Sequence, residues 1–351
     1  MAGYRRLHTL PVESTSRIYS ISSYNPTLIS PNDTDHNQFT LTTATSLGTI
    51  TSYSIADKHI STAMENALAL DVKVLRSVDH AHGKNKAVVA VGELGGGRLV
   101  SLGVDDVVKF WQEDESDEHN LVSESTVDLS RSVTLDVNND LQSVAVGSQV
   151  KGGEGAYSIA LLSTTAASAA AVQSTLPLPS YPISISYFSP ASLAVGLGDG
   201  AIQVFDTVAG VEKSVQQISP GTAQIRSIKH TPGCPTTIIS GDSEGFLKVY
   251  DLRCRASAAL TNFFRAHPGS WVEGLDVNED GRRVASVGGG GGCKIWDLGG
   301  GGGGGSEGVH CFSEAGGGGL GVATFCGLGG SRLCVGGGGG GDGVGVFSSK
   351  L

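Results

Sequence analysis

The chain has 351 residues, of which 39% are hydrophobic and 52 are glycine, and its formal net charge is −10. This acidic balance excludes the basic footprint needed for direct binding to a nucleic-acid backbone. No stretch reaches the roughly 18 apolar residues of a membrane span. Because no apolar segment follows Arg5 and Arg6 either, we expect an intracellular protein, cytoplasmic, nuclear or both, without a membrane partner.

Seven times along the chain, a strand pattern ends in an aromatic or large apolar residue after a turn that carries glycine. These positions lie 43 to 58 residues apart, close to the roughly 40–45 residues of a four-stranded propeller blade. They are Tyr53, Trp111, Leu162, Phe205, Tyr250, Trp296 and Phe347. The spacing predicts an all-β fold, a single seven-bladed β-propeller over residues 1–351.

The predicted units follow one another in chain order. Residues 4–11 provide a strand that closes the ring on the last blade, which removes sheet edges that other chains could pair with. Blades 1 to 7 are assigned in order to residues 12–57, 58–112, 120–163, 175–206, 215–251, 260–297 and 308–348.

Two of these units share a histidine, a serine and a tryptophan at matched spacing, with 29 residues from each histidine to its tryptophan. The shared residues are His82, Ser101 and Trp111 in blade 2, and His267, Ser286 and Trp296 in blade 6. The pattern resembles WD-repeat blades, where tryptophan bonds a hydroxyl, the hydroxyl meets the histidine, and the histidine meets a turn aspartate. Such a network pairs buried polar groups and so stabilises the blade.

Acidic residues complete this network to different degrees. Blade 2 has Asp105 in the turn, whereas blade 6 has Gly290 there and keeps the Trp-Asp pair through Asp297. Asp199 provides the turn acid of blade 4, and Glu244 takes its place before Tyr250. Serine, histidine and aspartate also form nucleophile triads, but this set recurs at blade spacing. We therefore interpret it as structural and predict no catalytic residue and no enzyme.

No cofactor chemistry is apparent in the sequence. The six cysteines form neither a CxxC pair nor a Cys/His spacing typical of zinc. The glycine-rich stretches lack the phosphate-loop pattern GxxxxGK[ST]. We expect neither a metal nor a cofactor.

Residues 288–345 hold 29 of the 52 glycines. Glycine runs are costly in strands, because they lose much entropy and offer no side chain to pack. Yet blade 6 keeps its spacing across the run 288–292. Two interpretations stay open: the glycines replace other residues in an ordinary framework, or the segment is genuinely glycine-rich.

From Gln224 to Asp297, the chain resembles the WD-repeat subunit of the superkiller complex and its animal counterpart. The similar stretches are Ile225-Arg226-Ser227, Gly245-Phe246-Leu247-Lys248-Val249-Tyr250-Asp251, Ala266-His267 and Ser270-Trp271-Val272. After them, Val309-His310-Cys311-Phe312 stands where that family has a similar strand. The resemblance covers about a third of the chain; blade 3, with Leu162 in place of an aromatic residue, departs most. It implies a non-catalytic adaptor that docks a tetratricopeptide-repeat scaffold and a helicase in exosome-linked mRNA decay. A similar subunit serves the RNA polymerase II-associated factor complex.

Docking of this kind needs exposed aromatic and arginine anchors on one face of the propeller. Trp271 is the best candidate, because it directly precedes the innermost-strand pattern of blade 6. Comparable or neighbouring positions in other blades are held by Arg226, Arg131, Arg17, Tyr19 and Tyr181. The alternative is that Trp271 packs between blades and the arginines are solvated.

Two rival classes stay open. One is a WD-repeat subunit of another assembly, such as a nuclear pore, a trafficking coat or axonemal machinery. The other is an esterase-type propeller enzyme, which would need titratable groups converging in the central channel or on one face.

Overall fold

The computed structural model describes sixteen segments of the chain. They are residues 4–10, 17–24, 38–61, 66–114, 117–138, 142–149, 156–164, 171–207, 214–219, 221–232, 234–254, 260–298, 310–313, 320–326, 332–337 and 344–349. Regular structure in these segments consists of β-strands, and none of their residues lies in a helix long and apolar enough to cross a membrane.

The strands form antiparallel blades of four, numbered here from the inner strand outward. Blade 1 has β2 (Ile18–Tyr24), β3 (Gln38–Thr45), β4 (Ile50–Ser61) and β5 (Asn66–Val78). Blade 2 has β6 (Val88–Gly95), β7 (Arg98–Gly103), β8 (Val107–Asp114) and β9 (Asp117–Asp128). The outer strands of blades 1 and 2 are also linked by one parallel bridge, between Ser77 of β5 and Asn120 of β9. Blade 3 has β10 (Thr134–Asn138), β11 (Ser143–Gln149), β12 (Tyr157–Ser163) and β13 (Val172–Leu178).

Blades 4 to 7 repeat this arrangement. Blade 4 has β14 (Pro182–Ser189), β15 (Ser192–Leu197), β16 (Ile202–Asp206) and β17 (Gln216–Ile218). Blade 5 has β18 (Ile225–Thr231), β19 (Cys234–Asp242), β20 (Phe246–Asp251) and β21 (Leu260–Arg265). Blade 6 has β22 (Val272–Val277), β23 (Arg283–Gly288), β24 (Gly292–Asp297) and β25 (His310–Ser313). Blade 7 has β26 (Leu320–Cys326), β27 (Arg332–Gly337) and β28 (Val344–Ser349), completed by β1 (Tyr4–Leu10).

The N-terminal strand closes the ring, which confirms the predicted fold. Strand β1 runs antiparallel to β28, from the pair Tyr4 and Ser349 to the pair Leu10 and Val344. The blades are consequently one strand out of phase with the sequence units, since each unit after the first begins with the outer strand of the preceding blade. This offset joins the two ends of the chain in one sheet.

The hydrophobic core is divided into layers between neighbouring blades. Seven clusters of buried side chains occur among the described residues, and each draws on two adjacent blades. Between blades 1 and 2, for example, Ala44 and Ile50 pack with Leu99 and Trp111. Each blade therefore buries both faces, which is why its strands carry apolar residues on both sides.

Blades 1 and 2 are additionally joined by a buried ion-pair network. The guanidinium of Arg76 in β5 lies 3.1 Å from the Glu93 carboxylate of β6 and 2.7 Å from that of Glu113 in β8. Ser52 accepts a further bond from Arg76 at 3.2 Å, and Thr42 donates to Glu93. Burial raises the pKa of Glu93 against the opposing effect of Arg76. Because the side chains of Arg76 and Glu93 are both buried, removing either of these two is expected to be costly.

The start of each inner strand carries a recurring irregularity. Six of the described inner strands skip one residue in their register near this end. The skipped residues are Tyr19, Val89, Ile183, Arg226, Glu273 and Gly321. A β-bulge of this kind bends the strand and redirects a side chain. These positions lie on the face where the inner strands begin, which is called the top face below.

Candidate functional site

The histidine network of blade 2 is complete. The His82 ring lies 2.9 Å from the Asp105 carboxylate through Nδ1 and 2.8 Å from the Ser101 hydroxyl through Nε2. The Trp111 indole N–H donates to the same hydroxyl at 2.8 Å. Burial lowers the pKa of His82, and Asp105 opposes this effect. The network links the loop before β6 to strands β7 and β8.

Blade 6 repeats this geometry without the acid. His267 Nε2 lies 2.9 Å from the Ser286 hydroxyl, which accepts the Trp296 indole N–H at 2.8 Å. Gly290 occupies the turn position of Asp105, and a Cβ there would have 3.7 Å to its nearest neighbour, so the space for a side chain is open. Burial lowers the pKa of His267 to about 4.

The serine of this set is not placed for catalysis. Ser101 has no exposed surface, and its hydroxyl already meets both Trp111 and His82. A nucleophile must reach a substrate carbonyl, which this enclosed hydroxyl does not do.

The other two acids predicted from the sequence are Asp199 and Asp297. Asp199 accepts the Ala201 amide within its turn at 3.0 Å, and Asp297 is exposed at the end of β24.

In blade 5, a buried aspartate that was not predicted from the sequence stabilises the turn after β19. Asp242 is fully buried at the position of Gly103 in blade 2, where a Cβ would come within 2.3 Å of His82. In blade 5 its carboxylate accepts the Phe246 amide at 2.9 Å and lies 2.8 Å from the Lys248 ammonium. The carboxylate that stabilises this turn thus comes from β19, and not from Glu244 in the turn itself.

Titratable groups also meet in the central channel, next to a cavity of about 320 Å³. Asp136 accepts the Tyr187 amide of the next blade at 2.7 Å, and Asp276 accepts the Phe325 amide at 2.8 Å. Burial raises the pKa of Asp136. Burial acts to lower the pKa of Lys229, but both carboxylates outweigh it, so that pKa lies above its usual value. Because the carboxylates bond backbone amides between blades, we assign the cluster a structural role.

The top face presents the residues that precede the inner strands. The carbonyls of Arg17, Tyr181 and Trp271 accept the amides of Ser46, Gly198 and Gly289, at 2.8, 3.0 and 2.9 Å respectively. These three residues therefore hold equivalent positions in blades 1, 4 and 6. Tyr19 lies two residues after Arg17, at the bulge position of β2, and Arg226 occupies the bulge position of β18.

Trp271 is held in place although 44% of its surface is exposed. Its indole N–H donates to Glu273, whose carboxylate also lies 3.3 Å from the Arg226 guanidinium of blade 5. The ring lies against the backbone of Gly289, where a Cβ would come within 2.1 Å of it. Glycine at this position thus allows the indole to lie flat on the top face.

Tyr181 is arranged in the same way, with 38% of its surface exposed. A Cβ at Gly198 would come within 2.1 Å of its ring. Its hydroxyl accepts the Gln224 side-chain amide of blade 5 at 2.5 Å, and its ring centroid lies 6.1 Å from that of Tyr157. Two partly exposed aromatic side chains therefore flank blade 5, and each is hydrogen-bonded to another side chain.

The remaining predicted anchors lie on other blades. Arg17 is exposed, and Tyr19 has 45% of its surface exposed. Arg131 is exposed before β10 and has a left-handed backbone with φ of 45°. No described contact joins these side chains to Trp271 or Tyr181, so the structure brings together the anchors of blades 4 to 6 only.

Residues 259–297 match the family described as WD domain, G-beta repeat. The chain contains a WD40 repeat. The match begins at the outer strand of blade 5 and ends with β24, so this WD40 repeat spans parts of two blades. Together with seven blades, it fits a WD-repeat family.

Among solved structures, the crystal structure of Raptor from Chaetomium thermophilum is similar, with a TM-score of 0.73 and 14% sequence identity. The likeness covers 100% of this chain and 30% of that chain. At this identity it shows the fold alone. No curated protein matches the chain by sequence.

Glu273 and Gln224, the hydrogen-bond partners of Trp271 and Tyr181, were not predicted from the sequence. Gln224 precedes β18 as Trp271 precedes β22, so an alignment of the residues before each inner strand could have found it. Glu273 has the bulge position that Arg226 has in blade 5. Groups of three or more His, Cys, Asp or Glu side chains able to hold a metal do not occur among the described residues.

Proposed function

We propose that this WD-repeat propeller is a non-catalytic adaptor, cytoplasmic or nuclear, that binds protein partners through its top face. The observation that carries the proposal is the fixed, half-exposed indole of Trp271. Its N–H is bonded to Glu273, and Glu273 pairs with Arg226 across the boundary between blades 5 and 6. A large side chain that is already oriented loses little freedom when a partner covers it.

The neighbouring chemistry supports this proposal. Tryptophan, tyrosine and arginine are the residues that contribute most to binding energy in protein interfaces, and Trp271, Tyr181 and Arg226 lie on adjacent blades of one face. The tyrosine is fixed by Gln224. The geometry thus favours recognition by preformed anchors over binding by a mobile loop.

For the identity of the complex, we propose a superkiller-type adaptor whose partners are a tetratricopeptide-repeat scaffold and a helicase. The support is the resemblance of residues 224–297, which includes both Trp271 and Arg226. A role in the RNA polymerase II-associated factor complex, or in another large assembly, is distinguished by the partners recovered.

Affinity purification of the tagged protein with mass spectrometry tests both levels. We expect the wild type to recover a helicase and a tetratricopeptide-repeat protein, and Trp271→Ala to lose them without loss of thermal stability. Recovery of an unrelated assembly contradicts the superkiller-type identity. Equal recovery by wild type and variant contradicts the anchor.

A matched pair of glycine variants separates the indole position from general damage. Gly289→Ala places a methyl group within 2.1 Å of the Trp271 ring and must displace it, whereas Gly290→Ala points into open space. We expect partner loss with the first variant and normal recovery with the second. Loss with both would show that the turn, and not the indole, is what partners need.

A further inference from the structure

A cleft of about 470 Å³ opens at the rim of the top face between blades 5 and 6. It lies between the turn after β19 and the loop before β22. Its lining comprises Ser243, Glu244, Phe246, Arg265, Gly269, Ser270 and Trp271. The cleft therefore combines two aromatic side chains with one acid and one base.

Arg265 is the distinctive group of this cleft. Its guanidinium lies 5.7 Å from the centroid of the Phe246 ring, and its side chain is exposed. It forms no ion pair with any residue that the structure describes, whereas Lys248 is held by Asp242 at 2.8 Å. An arginine stacked on an aromatic ring is oriented for bidentate contact with a carboxylate. The charge of Arg265 thus remains available to a partner.

The aromatic side chains provide an apolar contact beside this charge. Phe246 is half-buried and faces the cleft together with Trp271. Phe263, with 60% of its surface exposed, lies with its ring centroid 6.4 Å from that of Phe246 and extends the apolar surface onto β21. Exposed apolar groups that adjoin one another on a soluble propeller are typical of interaction sites.

We propose that this cleft binds a protein segment in which a large apolar side chain stands next to an aspartate or glutamate. The apolar side chain packs between Phe246 and Trp271, and the carboxylate bonds the Arg265 guanidinium. Glu244 on the cleft wall repels further acids, so the segment carries its charge at the Arg265 end. This inference rests on the proposed adaptor function and gives the chemical class of its partner.

Dipeptide probes test the chemistry directly. The chain has three tryptophans, and the indole N–H groups of Trp111 and Trp296 bond buried serines. In a ¹H–¹⁵N NMR titration, those two signals serve as internal references for Trp271. We expect acetyl-Phe-Asp-amide to shift the Trp271 signal with an affinity about three- to fivefold above that of acetyl-Phe-Lys-amide, as for an exposed ion pair.

Charge variants sharpen the test. Arg265→Glu should reverse the preference, Arg265→Lys should keep most of it, and Glu244→Gln should strengthen binding of the acidic probe. Arg282→Glu, which changes an exposed arginine in the turn after β22 at the opposite end of blade 6, is the matched control and should change nothing. Equal binding of the two probes, or an unchanged preference in Arg265→Glu, would overturn the proposal.

Parallel affinity purification with Arg265→Glu distinguishes this proposal from the adaptor function. If wild type and Arg265→Glu recover the same partners and the probes show no preference, the cleft chemistry is wrong and the adaptor function stands. If the acidic probe binds as expected but the wild type recovers no partner, the adaptor function is wrong and the cleft chemistry stands.

Discussion

Blades 2 and 6 build the same buried network from the same residue types, but only blade 2 has an acid in the turn. The bonds from tryptophan to serine and from serine to histidine agree within 0.1 Å between the two blades. Loss of the aspartate therefore does not change the positions of the other three groups. It does change the charge around the imidazole. Burial lowers the pKa of both histidines, and Asp105 opposes this effect for His82, whereas no carboxylate in the described part of the chain opposes it for His267.

The two halves of the network therefore have different tasks. The hydroxyl fixes the geometry, since it accepts from the indole and meets the imidazole. The carboxylate pairs the second ring nitrogen, which would otherwise remain buried and unsatisfied at a cost. Three experiments, given from the largest expected effect to the smallest, test this division.

Removing the acid from blade 2 should make it resemble blade 6. Asp105→Ala leaves Nδ1 of His82 without its partner at 2.9 Å, and we expect the free energy of unfolding to fall by about 1–3 kcal/mol. The pKa of His82 should fall further below its usual value. Urea denaturation gives the stability, and NMR titration of the ring gives the pKa. An unchanged stability would show that the carboxylate is dispensable in both blades.

Acidification should destabilise the propeller through its buried histidines. His267 has a pKa of about 4 in the folded chain and an ordinary value of 6.5. Between these values the unfolded chain binds more protons, so stability falls as the pH falls from about 7 to about 4.5. We expect a loss of roughly 1–3 kcal/mol from this residue. Denaturation at several pH values measures it, and His267→Gln should flatten the slope.

Restoring the acid in blade 6 should have the smallest effect. Gly290→Asp fills open space near Ser270 and places a carboxylate where blade 2 has Asp105. We expect a gain of about 0.5–1.5 kcal/mol and a higher pKa for His267. Gly290→Ala is the control, because it has the same backbone effect without the charge. If both variants are equally stable, the carboxylate does not reach the imidazole.

A good part of the candidate site could be predicted from the sequence. Trp271 was predicted to lie on the top face because it directly precedes an inner strand, and Tyr181 because it lies close to such a position; the structure places both before an inner strand. Gln224 meets the Tyr181 hydroxyl only because blade 5 packs against blade 4. Glu273 lies two residues after Trp271, and its carboxylate reaches the indole from the bulge position of β22. Arg265 was missed because nothing local marks an arginine at the end of an outer strand as unpaired.

The amino-acid sequence alone predicted the number of blades, their spacing and the closing strand, because strand periodicity and turn residues are local properties repeated along the chain. It also determined which residues form the buried networks of blades 2 and 6. Only the tertiary structure decided that Asp242 replaces the histidine network in blade 5 and that Glu273 fixes Trp271. It likewise decided that Arg265 borders an aromatic cleft. These relations depend on bulges and on contacts between neighbouring blades, which no single strand pattern encodes.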